Sequence, residues 1–177
     1  MVAVDPSFCP TCGTSLGRRR AEGRDRPYCP DCETIVWRNP VPTAGVAVVD
    51  RRGDESAVLL VRRARDPDAG EWGIPAGFLE HDEGAAEAAA RELREETGLR
   101  VAADALDLFA VDEFDHPTGR HLVTVAYVVS RDRTTGDPTP GSDATAARFW
   151  TLDALARAGE PLRAHDHDRL ERALGGR

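Results

Sequence analysis

Apolar and polar positions form short runs along the chain, and these runs predict a sheet with one prominent helix. Residues 41–50 are apolar and β-branched and predict a strand, which a turn at 51–54 joins to a second strand over 57–61. Residues 64–73 and 131–143 contain proline and glycine and predict loops. Further strands are predicted within 101–114 and over 121–129 and 148–151, and short helices over 152–158 and 166–174. This mixture indicates the α+β fold class.

The clearest predicted helix spans residues 84–97. It is rich in alanine and contains no proline, and Gly98 follows it as a left-handed cap. Apolar residues recur along it at the spacing i, i+3, i+4, i+7, at Ala86, Ala89, Ala90 and Leu93. That spacing predicts a stripe that packs against a sheet.

A second face of the same helix carries three glutamates. Glu92, Glu95 and Glu96 stand at i, i+3 and i+4, so their side chains are neighbours. Unneutralised carboxylates this close raise one another's pKa, and a divalent cation removes that penalty. Mg2+ prefers oxygen ligands and commonly binds carboxylates together with substrate phosphates. The cluster therefore suggests metal-assisted chemistry on a phosphate compound, and a solvated acidic face is the alternative.

The four cysteines form two C-x2-C pairs, Cys9 with Cys12 and Cys29 with Cys32, separated by 16 residues. This spacing is typical of a zinc site with four sulfur ligands, and a pair of disulfides is the alternative. A closed site of this kind holds structural Zn2+ rather than catalytic Zn2+. The sequence thus predicts a zinc ribbon in residues 1–38, with Arg18–Arg20 at the tip of its loop, and a second domain in residues 39–177.

Composition narrows the class of partner. The chain has 177 residues, its 23 basic residues are all arginine, and its net charge is −8. An acid excess makes a nucleic-acid partner unlikely, although a bound cation allows an acidic site to accept an anion. The longest apolar run is far shorter than the roughly 20 residues of a membrane span, and the first residues lack the pattern of a signal peptide. We therefore expect a cytoplasmic protein with no membrane partner.

Residues 77–99 resemble the Nudix box, G-x5-E-x7-R-E-U-x-E-E-x-G-U, in which U is a bulky aliphatic residue. The chain has Gly77, then Glu83 after five residues, then the run from Arg91 to Leu99 after seven more. Every specified position matches. The resemblance implies an α/β/α sandwich around a mixed sheet, preceded here by the small zinc ribbon. It also implies Mg2+- or Mn2+-dependent hydrolysis of a nucleoside diphosphate linked to another group.

The resemblance assigns roles to the residues of the box. Glu92, Glu95 and Glu96 would bind the metal, and Glu92 is also at the position often assigned to activating the water. Arg91 would orient these glutamates, paired with Glu83.

Residues outside the glutamate run complete the predicted site. Gly77 would permit the tight backbone at the start of the box. Arg62 and Arg63 follow a predicted strand and would meet the pyrophosphate, although a surface role fits them equally well. Family members often add a late acid. Asp143 is the candidate here, with Asp137 and Glu113 as alternatives.

The substrate is less well defined by the sequence. A zinc ribbon before a Nudix domain resembles the NADH pyrophosphatase group and related ADP-ribose pyrophosphatases. The S-Q-P-W-P-x-P-x-S segment usual in the NADH group is absent, so ADP-ribose or a similar nucleotide is the predicted substrate. The alternatives are NADH or a dinucleoside polyphosphate, and, in another class, a Nudix-like module that senses nucleotides. An isopentenyl diphosphate isomerase is disfavoured because no cysteine follows Cys32. The ribbon is also compatible with a homodimer.

Overall fold

The computed structural model describes residues 2–52, 55–141 and 143–175, and its contacts divide the chain into two units. The first comprises Met1–Val41 with Asp115–Leu122, and the second comprises Pro42–Phe114 with Val123–Arg177. The predicted domain boundary after residue 38 stays a prediction. None of the helices in the described part of the chain is long and apolar enough to cross a membrane.

The first unit contains a three-stranded antiparallel sheet in the order β1-β2-β3. Its strands are β1 (Gly17–Ala21), β2 (Arg24–Cys29) and β3 (Thr34–Ile35). The turn between β1 and β2 is made by Glu22 and Gly23, both with positive φ. Arg18–Arg20 therefore lie within β1, and the prediction that they form the loop tip is wrong. The glycine allows the tight turn, which leaves the three arginines as a regular strand.

The second sheet has seven strands. Five of them run in the order β10-β5-β4-β9-β8, while β6 pairs with β5 and β7 pairs with β4. Their bounds are β4 (Val41–Asp50), β5 (Ala57–Arg63), β6 (Trp72–Gly73), β7 (Ala76–Phe78), β8 (Asp107–Asp115), β9 (His121–Ser130) and β10 (Ala144–Trp150). The antiparallel pairing of β4 with β5 confirms the predicted hairpin, although residues 53 and 54 of its turn lie outside the described residues.

Helices cover both faces of this sheet. The helices are α1 (Ala85–Thr97), α2 (Leu152–Arg157) and α3 (His167–Gly175). Because side chains alternate along a strand, Val46 and Val48 of β4 pack with Leu93 of α1, whereas Val49 packs with Leu170 of α3 on the opposite face. Each of these side chains is fully buried. The structure thus has the predicted α/β/α layers.

Helix α1 begins and ends as the sequence predicts. The Gly84 N–H donates to Glu87 Oε2 at 2.8 Å, and Gly98 adopts φ 72° and donates its N–H to the Arg94 carbonyl. In the predicted stripe, Ala89 and Leu93 are buried, while Ala86 and Ala90 are partly buried against the same core. This packing fixes the rotation of α1 and presents the glutamates on its other side.

Candidate active site

Arg91 lies at the centre of the carboxylate group. Its Nη2 and Nε donate to the two oxygens of Glu83 at 2.6 and 3.0 Å, a bidentate pair. Its Nη1 donates to Glu92 Oε1 at 2.7 Å and to Glu95 Oε2 at 3.2 Å. Its Nη2 also donates to the Phe78 carbonyl at 2.9 Å. One guanidinium therefore connects the start of the box to two of its glutamates.

The Arg91 contacts hold Glu83 ionised. Hydrogen bonds from Arg91 and, secondarily, from the Glu80 N–H lower the pKa of Glu83 to about 2. The same pairing with Glu83 raises the pKa of Arg91 above its usual range. The Arg91–Glu83 ion pair therefore stays charged near neutral pH and holds the Arg91 side chain in one position beside the other glutamates.

Glu92 occupies a half-buried position against a glycine. Burial is the main cause that raises the pKa of Glu92, and the contact with Arg91 opposes it. A Cβ added to Gly77 would overlap the Glu92 carboxylate. The glycine of the box is therefore needed for space rather than for an unusual φ.

Gly77→Ala is expected to lower kcat/KM about 10- to 100-fold, because Glu92 has to leave its place to make room for the methyl group. Steady-state hydrolysis, with circular dichroism as the check on folding, measures this. Gly84→Ala is the matched control, since its Cβ would come no closer than 3.4 Å, to Glu87 Oε2. Equal activity of the two variants would contradict the steric role of Gly77.

Glu96 is held by the backbone of the segment before the box. Its Oε2 accepts the Ala76 N–H at 3.0 Å. Burial raises the pKa of Glu96 to about 7, against the lowering effects of that N–H and of the charges on Arg163 and Arg63. A carboxylate this poorly solvated gains from a cation at its side.

The three glutamates do not yet converge on one point. Among the described residues, the sets whose ligand atoms all lie within 4.8 Å are the four cysteines and the exposed group His167, Asp168 and Glu171. The carboxylates of Glu92 and Glu95 are held apart because both accept from Arg91 Nη1. The carboxylate of Glu96 is turned toward the Ala76 N–H instead. The side chain of Glu95 is 48% exposed and has room to turn.

The four cysteine sulfurs, in contrast, do converge. The Sγ atoms of Cys9 and Cys32 are 3.9 Å apart, and those of Cys12 and Cys29 are 3.5 Å apart. With Zn–S bonds of about 2.3 Å, a tetrahedron places neighbouring sulfurs about 3.8 Å apart. All four cysteines are free, and their sulfurs lie close enough together for one ion.

The backbone around the sulfurs favours thiolates. Cys9 Sγ accepts the Thr11 N–H and Cys29 Sγ accepts the Cys32 N–H, each at 3.4 Å. Hydrogen bonds from Thr14 lower the pKa of Cys12 to about 6. The hydrogen bond to Cys12 is the largest cause that raises the pKa of Cys32, to about 12, because sulfurs this close cannot all ionise without a cation.

Comparison with known proteins decides the family. The family model described as NUDIX domain matches residues 40–172, which is more than half of the chain. The chain belongs to the Nudix family. The predicted membership and the predicted α+β Nudix fold with a mixed sheet are confirmed.

Individual relatives agree with this assignment. The chain is 31% identical over 116 residues to the ADP-ribose pyrophosphatase of Methanocaldococcus jannaschii, an alignment that covers 66% of this chain and 64% of the relative. It is 34% identical over 150 residues to the NAD-capped RNA hydrolase NudC of Pseudomonas aeruginosa, covering 84% and 49% respectively. A Nudix hydrolase structure from Nitrosomonas europaea has a TM-score of 0.74 at 28% identity, covering 97% of this chain and 92% of that one. The chain spans less than two thirds of either curated relative.

The loop after β9 is fixed against the end of the Nudix helix. The N–H groups of Thr139 and Gly141 donate to the carbonyls of Thr97 and Glu96, at 2.8 and 2.9 Å. A Cβ on Gly141 would overlap the Glu95 carbonyl. Part of the segment predicted as a loop therefore caps α1, and Gly141 permits the close approach.

The candidates for a late acid lie on the surface. Asp143 is 60% exposed and its Oδ1 is 3.5 Å from Arg65 Nη1. Asp137 is exposed, 4.0 Å from Arg131 Nη2, and Glu113 is exposed on β8. The assignment of Asp143 as the late acid stays a prediction.

Arg62 and Arg63 both bind the loop that follows β5. Arg62 Nε donates to the Gly70 carbonyl at 2.9 Å, and Arg63 Nε donates to the Pro67 carbonyl at 3.0 Å. These contacts shape the loop, and a role at the pyrophosphate stays a prediction. Nothing in the sequence pattern predicts Arg163 or Asp166, two buried charged residues just before α3, as neighbours of the Nudix box.

Proposed function

We propose that the chain hydrolyses the pyrophosphate linkage of a nucleoside diphosphate derivative with Mg2+ or Mn2+, with ADP-ribose or a similar nucleotide as substrate. The observation that carries the proposal is an excess of negative charge in the intact Nudix box. The box has four specified glutamates against two arginines: Arg91 contacts Glu83, Glu92 and Glu95, and Arg94 lies 3.5 Å from Glu95. An anionic substrate approaches such a site only together with a cation.

The donor set fits a hard divalent cation. Glu92, Glu95 and Glu96 offer only oxygen ligands, as Mg2+ and Mn2+ require, and the half-exposed Glu95 has room to turn toward the other two. When bound, the cation would neutralise phosphate charge and lower the pKa of a bound water. Burial is the main cause of the raised pKa values of Glu92 and Glu96, and a cation bound beside them would favour their ionised forms.

The residues around the glutamates orient them. Glu83 fixes the orientation of the Arg91 guanidinium, which donates to Oε1 of Glu92. We therefore propose that the other oxygen of Glu92, Oε2, accepts the proton of the attacking water. A base with a raised pKa performs this transfer better at neutral pH. The Ala76 N–H fixes the direction of Glu96.

Two relatives support the choice of substrate. The archaeal relative is an ADP-ribose pyrophosphatase and the bacterial one is a hydrolase of NAD-capped RNA, and both names describe a nucleoside diphosphate linked to a second group. ADP-ribose is preferred because the chain lacks the segment usual in the NADH group. NADH and dinucleoside polyphosphates are the alternative substrates.

We also propose one structural Zn2+ bound by Cys9, Cys12, Cys29 and Cys32. The sulfur spacings fit a tetrahedral ion, and four protein ligands leave no open position for catalysis. A homodimer through this ribbon and a cytoplasmic location stay predictions.

A substrate panel tests the proposed function. The chain is assayed with Mg2+ or Mn2+ against ADP-ribose, NADH, diadenosine polyphosphates, nucleoside triphosphates and nucleotide sugars. We expect the highest kcat/KM with ADP-ribose, giving AMP and ribose 5-phosphate, and no product without the metal. Cleavage of nothing in the panel, together with calorimetric binding of ADP-ribose, would instead favour the nucleotide-sensing module.

A further inference from the structure

A buried ionic network lies just before and along α3. The carboxylate of Asp166 is fully buried. Its Oδ1 accepts a hydrogen bond from Nη1 of Arg169 at 2.6 Å, and its Oδ2 accepts one from the backbone N–H of Ile74 at 3.2 Å. Arg169 is 2% exposed and donates its Nε to Asp112 Oδ2 at 3.0 Å. Asp166 thus joins the α3 network to a backbone amide of the segment that precedes the Nudix box.

That segment, residues 72–77, also forms backbone hydrogen bonds with the residues just before α3. The Trp72 N–H donates to the Pro161 carbonyl and the Arg163 N–H donates to the Trp72 carbonyl, both at 2.8 Å. A Cβ on Gly73 would overlap the side chains of Arg163 and Asp166. The 72–77 segment is therefore packed directly on these two charged residues.

The front of the same segment touches the glutamates. Ala76, two residues beyond Ile74, donates its N–H to Glu96 Oε2 at 3.0 Å, and Gly77 makes room for Glu92. Pro75 stands between Ile74 and Ala76, and its ring fixes φ at that point. Pro75 is therefore a short, stiff link through which a displacement of the Ile74 amide would reach Ala76 and Gly77.

We propose that Asp166 is a positioning residue of the Nudix site, whose buried carboxylate fixes the 72–77 segment and through it the directions of Glu96 and Glu92. Its carboxylate is occupied by Arg169 and by the Ile74 N–H, so the role proposed for it is indirect. A carboxylate suits this position, because the buried backbone N–H of Ile74 needs a hydrogen-bond acceptor and the buried Arg169 needs a negative charge beside it. The inference rests on the proposed hydrolase function.

Asp166→Asn tests the role at nearly constant volume. An amide presents one oxygen and one NH2 group, so it accepts from Arg169 or from Ile74 but opposes the other with a donor. We expect kcat to fall about 10- to 100-fold, as for other residues that orient ligands, while KM for ADP-ribose stays within about threefold. In the substrate-free protein we expect Mn2+ affinity, measured by electron paramagnetic resonance, to fall about tenfold or more.

Asp112→Asn is the matched control. This substitution weakens an ion pair of the same guanidinium, because Arg169 Nε donates to Asp112 Oδ2. The carboxylate of Asp112 contacts Arg169 and Arg172 rather than the 72–77 segment. Both variants are expected to lower Tm, and only Asp166→Asn is expected to lower kcat and Mn2+ affinity. Gly73→Ala disturbs the 72–77 segment from the side of Asp166 and is expected to reproduce both losses, so the inference remains testable if Asp166→Asn fails to fold.

Equal kcat and equal Mn2+ affinity of the folded Asp166→Asn and Asp112→Asn proteins would overturn the positioning role, as would a Gly73→Ala protein with both values unchanged. If the unaltered chain cleaves nothing in the substrate panel, the proposed function fails. The Mn2+ affinities still decide on Asp166 in that case, because they need no turnover.

Discussion

Replacing Glu96 by glutamine is expected to lower hydrolysis of the best substrate at least about 100-fold while the fold stays intact. Glutamine has the shape of glutamate, and its side-chain oxygen is still able to accept the Ala76 N–H that Glu96 Oε2 accepts at 3.0 Å. What the substitution removes is the charge that we propose the divalent cation needs. Steady-state kinetics over a range of Mg2+ and Mn2+ concentrations measures the loss.

Thermal unfolding separates this loss of charge from a loss of structure. Burial raises the pKa of Glu96 from its ordinary value of 4.5 to about 7 in the metal-free fold. As pH rises through this window, the unfolded chain releases the proton first, so ionisation of Glu96 destabilises the metal-free fold, whereas at pH below 4.5 it has no effect. The metal-free Glu96→Gln protein is therefore expected to have a Tm at pH 8 equal to or above that of the unaltered chain.

Glu87→Gln is the matched control for this substitution. Glu87 lies on the same helix and is exposed, and its contact is with the Gly84 N–H at the start of α1. We expect near-normal turnover from it. Near-normal turnover of Glu96→Gln as well would contradict the assignment of Glu96 as a metal ligand.

The elements with a complete local pattern were predictable from the sequence. Helix α1 was within one residue of its predicted bounds because its alanine content, its apolar stripe and Gly98 all specify the same helix. Strand β4 was predictable because seven of its ten residues, Val41–Asp50, are buried, so both of its faces are apolar and few positions are polar. The Nudix box likewise sits within one continuous stretch of 23 residues, so its spacing is visible without the fold.

Features made by contacts between distant residues were not predictable. Strands β6 and β7 have two and three residues, too few for any alternation, and they exist because their backbones pair with β5 and β4. The capping of α1 by Thr139 and Gly141 depends on hydrogen bonds across more than 40 residues. The contact between Asp166 and Ile74 spans 92 positions, and nothing in the sequence around this aspartate, just before α3, indicates it.

Cys29→Ser is expected to reduce zinc from about one ion per chain to near zero and to unfold the ribbon. The reason is the small core of this part of the chain. Among the described residues 2–41, the buried ones are Cys9, Pro27, Cys29 and Val36, two of which are themselves ligands. So few apolar residues do not stabilise about 35 residues, and binding of structural Zn2+ supplies on the order of 10–16 kcal/mol in comparable small domains. Plasma mass spectrometry measures the zinc, and limited proteolysis of the ribbon measures its unfolding.

Ser7→Ala is the matched control, because Ser7 is exposed in the same ribbon and its backbone carbonyl, which the substitution keeps, accepts the Leu16 N–H. It is expected to keep its zinc and its resistance to protease. A count of thiols in denaturant without reductant distinguishes the remaining alternative. Four reactive thiols with one zinc per chain support the tetrahedral site, whereas no reactive thiol and no zinc would mean that the two C-x2-C pairs are oxidised. In that outcome the sulfurs would pair within each C-x2-C motif rather than across the two motifs, where the spacings of 3.9 and 3.5 Å now lie, and the ribbon would depend on redox state rather than on metal.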